Sequence, residues 1–214
     1  MQPEVTALLL NWKRPENLKR TIASLRSQSI PVAIWLWNNN PEDRTPYDVD
    51  QKFEAPRNFY CWPRWLLGSL IDTEFLFTLD DDLTFGDGEV LVDALSYLKQ
   101  LPLTSIVGYC GVQLDSDRNY WQSKHYHQPE VDREVGVDIV KGRFMLMRKK
   151  FIGRISLENE PTCEDIKVSS YSEKKILPSI LRGRLIDLPE GSEALHANPE
   201  QRKRRVESTL RYFR

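Results

Sequence analysis

The chain has 214 residues, of which 40% are hydrophobic and 29% charged, a composition typical of one folded domain with a substantial core. Its 30 basic and 31 acidic residues leave a net charge of −1, which excludes an overall field that would recruit nucleic acid or membranes. The apolar runs are too short to span a bilayer, the N-terminus lacks signal-peptide features, and the three cysteines fit neither a disulfide framework nor a CxxC metal site. We therefore expect a cytoplasmic protein without a transmembrane segment.

A β-α-β unit is predicted at the start of the chain. Val5–Asn11 has the short apolar pattern of a buried strand, and apolar residues at helical spacing follow Pro15 and end near residues 27–29. A second strand over residues 32–37 ends in Asn38, Asn39 and Asn40, and it should pair in parallel with the first.

The next segment leads to a cluster of acidic residues. Residues 41–58 are predicted to form a loop with a short strand, and Pro63 can begin a helix that runs to about residue 70. Phe75–Leu79 is a third apolar strand, and Asp80, Asp81 and Asp82 follow its carboxyl end directly.

The rest of the chain continues to alternate between helix and strand. The pattern predicts a helix over residues 90–98, a strand over 105–112, a loop or hairpin over 113–133, β-structure over 135–148, a helix over 164–177, a strand over 184–188 and a helix over 199–213. This alternation favours an α/β fold with a largely parallel sheet, in which ligands bind at the carboxyl ends of the strands.

The three aspartates form a hard-oxygen site suited to Mg²⁺ or Mn²⁺. Asp80 and Asp82 point to the same side if the strand continues through them, while Asp81 points away. No basic residue lies within several positions to relieve their repulsion. An acidic surface turn is the alternative interpretation.

Other polar residues also lie near strand ends. Asn38 and Asn39 could hydrogen-bond a base or a ribose, although NNNP is also an ordinary turn pattern. Arg14 could meet a phosphate or a base edge, or it could be an exposed arginine at a helix start.

The stretches TALLLNWKRPENLKRTIASLRSQ, IWLWNNN and PRWLLGSLIDTEFLFTLDDDLTF resemble nucleotide-sugar glycosyltransferases of the GT-A fold. LNWKRPENL, the DDD form, TCEDI and HANPEQRKR are most similar to the exostosin-type hexosaminyltransferases. The resemblance implies one GT-A (Rossmann-like) α/β domain over residues 1–214, with a mostly parallel central sheet flanked by helices and a small acceptor-side β/loop region. Residues 1–112 would bind the donor, and residues 113–214 would bind the acceptor and close over the donor.

The resemblance also implies roles for individual residues. Asp82 would bind Mn²⁺ or Mg²⁺ held by the diphosphate of the donor, which the resemblance implies is a UDP-sugar, and Asp80 would meet the ribose or bridge to the metal. His196 would be a third metal ligand or a diphosphate contact, with an ordinary surface histidine as the alternative. The nucleotide sugar would be held by Asn11, Arg14, Asn38, Asn39, Arg64, Asp81, Gly142 and Arg143.

Catalysis would fall to an acidic pair and a C-terminal arginine. Glu164 and Asp165 would lie beneath an acceptor hydroxyl, as a base in an inverting reaction or as an orienting group in a retaining one, and the resemblance slightly favours retention. Arg202 would reach the diphosphate. The alternatives are complementation of a helix dipole by the acidic pair, a solvated basic helix face around Arg202 and a β-bulge at Gly142.

Two other classes of protein remain open. A Mg²⁺-dependent nucleotidyltransferase or phosphohydrolase would also use strand-end aspartates, although the chain has no GxxxxGK[ST] phosphate loop. A non-catalytic nucleic-acid-binding protein could use the RKRR segment, but the balanced charge and the acidic cluster oppose it.

Overall fold

A computed structural model describes residues 2–127, 132–153, 155, 162–189 and 198–213. In chain order its elements are β1 (Val5–Asn11), α1 (Pro15–Arg26), β2 (Val32–Asn38), β3 (Gln51–Glu54), α2 (Pro63–Leu70), β4 (Phe75–Leu79), β5 (Leu83–Phe85), α3 (Val90–Lys99), β6 (Ile106–Gly108), β7 (Gly111–Gln113), β8 (Lys124–Tyr126), β9 (Val135–Gly136), β10 (Ile139–Val140), β11 (Phe144–Arg148), α4 (Lys149–Ile152), α5 (Glu164–Ser170), β12 (Lys175–Leu177), β13 (Leu185–Asp187) and α6 (Pro199–Tyr212).

A mixed sheet forms the centre of the fold. Within the described ranges it has eight strands in the order β3-β2-β1-β4-β11-β6-β12-β9. Strand β1 pairs in parallel with both β2 and β4, whereas β11 runs antiparallel between β4 and β6. The predicted α/β class with a mostly parallel sheet is therefore confirmed. The sheet takes strands from both sides of residue 112, and the division into donor and acceptor halves stays a prediction.

The two faces of this sheet are covered by different helices. In β4, Phe75 and Phe77 pack with α1 and α3 on one face, while Leu76 packs with α2 and α4 on the other. This alternation follows from the two-residue period of a strand, and burial on both faces explains why β1 and β4 are continuously apolar. No helix in the described part of the chain is both long enough and apolar enough to cross a membrane.

Three local predictions are corrected by the structure. Residues 105–112 form two strands, because the chain leaves the large sheet after β6 and β7 joins a second sheet, with the order β10-β7-β8. The helix predicted over residues 164–177 ends at Ser170, and β12 then pairs with β6. Strand β5 was not predicted, and it forms an antiparallel pair with β13.

A glycine in β6 allows this change of sheet, because a Cβ added at Gly108 would lie 2.2 Å from Val140 Cγ1. We expect Gly108→Ala to lower the free energy of unfolding by about 1 to 3 kcal/mol, since the valine is too short to move aside. Urea unfolding measures this change. Gly136→Ala is the matched control, because nothing lies within 4 Å of the added Cβ there. Equal losses in both variants would contradict the steric explanation.

Candidate active site

The polar ends of the parallel strands meet at one edge of the sheet. Asn11 at the end of β1 lies opposite Asn38 at the end of β2, and Leu9 of β1 lies opposite Leu79, the last residue of β4. The chain enters a turn directly after Leu79, and Leu83 N donates a hydrogen bond to Asp80 O. The structure thus brings the asparagines and the three aspartates to the same edge, as in α/β folds that bind ligands there.

Arginines from distant parts of the chain face the three aspartates. Arg14 Nη1 lies 3.0 Å from Asp81 Oδ1 and 3.4 Å from Asp82 Oδ2. Arg143 Nη2 lies 3.0 Å from Asp82 Oδ1, and it also contacts Asp187 at 2.6 Å. The alternation expected for a continuing strand does not apply, because β4 ends at Leu79, and Asp81 and Asp82 both contact Arg14.

The third arginine approaches from α2. Arg64 Nη1 lies 2.7 Å from Asp80 Oδ1, and its side chain is only 2% exposed. The repulsion that the sequence suggested is thus relieved by tertiary contacts rather than by neighbours in the chain.

The arginines do not fully offset the effect of burial and mutual repulsion on the pKa values of Asp81 and Asp82. Burial raises the pKa of Asp81 to about 7, and Asp80 and Asp82 add to this rise while Arg14 opposes it. Burial also raises the pKa of Asp82, with a further contribution from Asp80 and opposition from Arg143 and Arg14. The site therefore stabilises protonated aspartates, or a cation in place of the proton.

The donor atoms fit a divalent cation that takes part of its coordination from elsewhere. Carboxylate oxygens are the ligands that Mg²⁺ and Mn²⁺ prefer, and such ions typically use one or two protein carboxylates together with phosphate oxygens and water. Among the described residues, no group of three or more His, Cys, Asp or Glu side chains could hold a metal ion. The site fits a cation that arrives with a phosphate-bearing ligand, and it does not fit an all-protein cage.

The raised pKa of Asp81 predicts that the metal-free protein loses stability as the pH rises. The folded state binds this proton more tightly than the unfolded chain, whose aspartate titrates near 3.8, so the stabilisation is complete below about pH 4 and is lost as the pH rises through about 7. We expect Asp81 to contribute roughly 2 to 3 kcal/mol to the fall in the free energy of unfolding between pH 5 and 8, in addition to contributions from Asp82 and Glu164, and we expect Asp81→Asn to remove its share. Urea unfolding in EDTA measures both.

Asp87→Asn is the control for this experiment. The hydrogen bond from Arg184 holds the pKa of Asp87 at about 2, so this aspartate stays ionised across the whole interval. If Asp81→Asn keeps the full wild-type slope between pH 5 and 8, the assignment of the titration to Asp81 is wrong.

The asparagines at the ends of β1 and β2 form an internal network. Asn11 Nδ2 donates to Asn38 Oδ1 at 2.7 Å and to Asp43 Oδ2 at 2.6 Å, and Asn38 Nδ2 donates to Glu54 Oε2 at 2.6 Å. Asn39 accepts from Phe59 N and donates to Tyr60 O. Asn11, Asn38 and Asn39 are all buried, so their side chains position residues 41–60 rather than facing solvent.

Asp43 belongs to this network and was missed in the sequence. Burial disfavours its charged form, but hydrogen bonds from Thr45, Tyr47 and Asn11 outweigh that effect and hold its pKa well below the usual range. It lies in a polar loop without a distinguishing pattern, so the sequence carried no clear signal for it.

The acidic pair at the start of α5 is buried and held by two arginines. Arg64 Nη2 lies 3.0 Å from Glu164 Oε1, and Arg205 Nη2 lies 2.7 Å from Asp165 Oδ2. Burial raises the pKa of Glu164 to about 7, with Arg64 opposing the rise and Asp165 adding to it. Because both carboxylates lie in the first turn of α5, they also complement the helix dipole, so that interpretation stays open.

Gly142 lies against this acidic pair. Its N–H donates to Asp165 Oδ2 at 3.3 Å, and its carbonyl accepts from Thr78 Oγ1 at 2.8 Å. A Cβ added at Gly142 would lie 3.0 Å from Arg64 Nη2 and 3.6 Å from Asp165 Cβ, and the contact of this glycine with a donor sugar stays a prediction.

Two arginines of the C-terminal helix differ in exposure and in their contacts, and the diphosphate contact of Arg202 stays a prediction. Arg202 is exposed, with its guanidinium 4.7 Å from the centroid of the Trp121 ring. Arg205, which was missed, lies over Tyr120 and binds Asp165. The available signal was its spacing of four from Gln201, which is buried and donates to Thr162 O. The predicted ligand His196 lies outside the described residues.

Comparisons with known proteins support the class of fold. No protein family profile and no curated protein sequence matches the chain. The mannosyltransferase PcManGT from Pyrobaculum calidifontis, solved with GDP-Man and Mn²⁺, is similar with a TM-score of 0.66 and 12% identity over 99% of this chain and 64% of that protein. The structure of S. aureus TarS residues 1–349 in complex with UDP-GlcNAc is similar with a TM-score of 0.65 and 11% identity over 91% of this chain and 61% of that chain.

These similarities define a fold class. At 11–12% identity they show the fold alone, which is that of glycosyltransferases that bind nucleotide sugars. The chain spans less than two thirds of the length of either structure.

Proposed function

We propose that the protein is a metal-dependent glycosyltransferase that moves a sugar from a nucleoside-diphosphate sugar, by prediction a UDP-sugar, to a hydroxyl of a glycan or another acceptor. One observation carries this proposal: three aspartates follow β4 directly, at the ligand-binding edge of this fold, and the charges of two of them, Asp81 and Asp82, are incompletely compensated. Similar structures contain GDP-Man with Mn²⁺ and UDP-GlcNAc, which supports this class of donor.

Asp82 and Asp80 would hold Mn²⁺ or Mg²⁺, with His196 as a proposed third ligand. When bound, the cation would neutralise the negative charge of the nucleoside diphosphate, which is the leaving group. Arg14 and Arg143 now bind the aspartates, and on donor binding these guanidiniums would turn toward the phosphates, for which their planar donor groups are suited.

The remaining donor contacts follow from the network at the ends of β1 and β2. Asn11, Asn38 and Asn39 would shape the pocket for the base and ribose by fixing residues 41–60. Asp81 would contribute through its contact with Arg14, and the backbone at Gly142 would border the donor sugar.

Asp165 or Glu164 would act on the acceptor side. In an inverting reaction the carboxylate takes the proton of the acceptor hydroxyl, whose oxygen bonds to the anomeric carbon as the bond to the diphosphate breaks. In a retaining reaction, which the exostosin-type resemblance slightly favours, the carboxylate would orient the substrates, and Arg202 would contact the diphosphate. NMR of the product anomer distinguishes the two, and the exostosin-type assignment itself stays a prediction from sequence.

Thermal shift with UDP-GlcNAc and GDP-mannose, each with and without Mn²⁺, tests the proposal. A Mn²⁺-dependent rise in melting temperature is expected with a nucleotide sugar, and it should be lost in Asp82→Ala. Stabilisation by nucleoside triphosphates alone would favour a nucleotidyltransferase. Salt-sensitive binding of oligonucleotides alone would favour a nucleic-acid-binding protein.

A further inference from the structure

Arg64 connects two parts of the candidate site that are far apart in sequence. From α2, its guanidinium contacts Asp80 Oδ1 at 2.7 Å through Nη1 and Glu164 Oε1 at 3.0 Å through Nη2. Asp80 is 16 residues away in the chain and Glu164 is 100 residues away. One arginine thus joins the turn after β4, on the proposed donor side, to the start of α5, on the proposed acceptor side.

Burial restricts what this arginine can touch. Its side chain is 2% exposed, and burial alone would lower its pKa, but the negative charges of Asp80 and Glu164 hold its pKa above the ordinary value. A buried guanidinium keeps its partners because an unpaired buried charge is costly, and its planar fork fixes both carboxylates at once. Direct contact with a donor phosphate would require Arg64 to leave both of them.

The space around this bridge is also restricted. A Cβ added at Gly142 would lie 3.0 Å from Arg64 Nη2 and 3.4 Å from Glu164 Oε1. Gly142 also donates its N–H to Asp165, so the smallest residue type stands where Arg64 and the acidic pair meet.

We propose that Arg64 is a positioning residue, which acts through Asp80 and Glu164 and sets the geometry of the donor and acceptor sides together. This inference rests on the proposed glycosyltransferase function, and it replaces the nucleotide contact that the sequence resemblance implied for Arg64. Its consequence is energetic coupling: the effect of changing Arg64 depends on whether Glu164 keeps its carboxylate.

A double-mutant cycle tests the coupling. The assay is Mn²⁺-dependent release of nucleoside diphosphate from UDP-GlcNAc or GDP-mannose with water as acceptor, so no acceptor need be identified. Arg64→Met should lower kcat by at least about 100-fold with a smaller change in the donor KM, and by less than about tenfold in a Glu164→Gln background. Arg64→Lys or added guanidinium ion should restore part of the lost kcat.

Arg184→Met is the matched control, because Arg184 also bridges two carboxylates, those of Asp87 and Asp93, at 2.8 and 2.6 Å. It should leave kcat within about threefold of wild type. Gly142→Ala perturbs the contacts of Arg64 sterically, and it is the replacement test if Arg64→Met does not fold. We expect it to lower kcat about tenfold at an unchanged melting temperature, since small misplacements of site residues are costly.

The outcomes separate this inference from the proposed function. If the wild type neither binds nor hydrolyses a nucleotide sugar with Mn²⁺, both the proposed function and the positioning role of Arg64 fail. If the wild type is active but the Arg64 and Glu164 effects add, or Arg64→Met raises the donor KM at unchanged kcat, only the positioning role is overturned. A wild-type kcat in Gly142→Ala would overturn it as well.

Discussion

Replacing Asp82 with asparagine is expected to lower Mn²⁺-dependent sugar transfer by about 1,000-fold or more, which corresponds to about 4 kcal/mol of transition-state stabilisation. The substitution keeps the size of the side chain and removes the negative charge that would hold the cation against the donor diphosphate. In this variant Arg14 keeps its ion pair with Asp81 and Arg143 keeps its ion pair with Asp187, so we expect the variant to fold. Steady-state assays across a range of Mn²⁺ concentrations measure the loss.

Asp187→Asn is the control for Asp82→Asn. Asp187 contacts the same Arg143, but its side chain is 58% exposed and lies outside the aspartate cluster. We expect transfer within a few-fold of wild type in this variant. If Asp82→Asn and the wild type have comparable activity at limiting Mn²⁺, then Asp82 does not bind the metal.

Asp165→Asn is expected to lower transfer by about 100- to 10,000-fold while leaving the affinity for the nucleotide sugar unchanged, if this carboxylate accepts the proton of the acceptor hydroxyl. Arg205 and the Gly142 N–H fix the orientation of Asp165 at the start of α5, as this proposed role would require. Transfer assays together with calorimetric titration of the donor separate the two effects.

The dipole interpretation makes a different prediction for the same variant. If Asp165 only complements α5, its replacement should change the free energy of unfolding by about 0.3 to 1 kcal/mol and leave the transfer rate near that of wild type. Arg205→Gln provides the companion measurement. It removes the group that orients Asp165, and we expect a smaller loss of transfer than in Asp165→Asn.

Local patterns were sufficient to predict the first strands and helices of the chain. The apolar runs of β1 and β4 are continuous because both faces of these strands are buried, and prolines mark the starts of α1 and α2. The split between β6 and β7 was missed because it depends on Val140 and Ile139 packing against Gly108 and Gly111. Contacts of this kind join residues about 30 positions apart and leave no periodicity in the sequence.

The candidate site shows the same limit. The aspartates could be placed at a strand end from sequence, since FLFTL is followed directly by DDD. Their partners could not be placed, because Arg14, Arg64 and Arg143 come from the residue before α1, from α2 and from the turn before β11. The asparagines were predicted to lie at the same edge of the sheet. Their burial in a hydrogen-bond network could not be predicted, because it depends on Asp43 in the loop after β2 and on Glu54 in β3.

A crystal structure of the protein with Mn²⁺ and a nucleoside diphosphate tests the central claim most directly, because anomalous scattering locates the cation without reference to activity. We predict one manganese peak within about 2.5 Å of an Asp82 carboxylate oxygen and of a diphosphate oxygen, as expected for hard-oxygen coordination. A nucleotide bound at another part of the fold, or a manganese peak away from Asp80, Asp81 and Asp82 with the diphosphate present, would contradict the account.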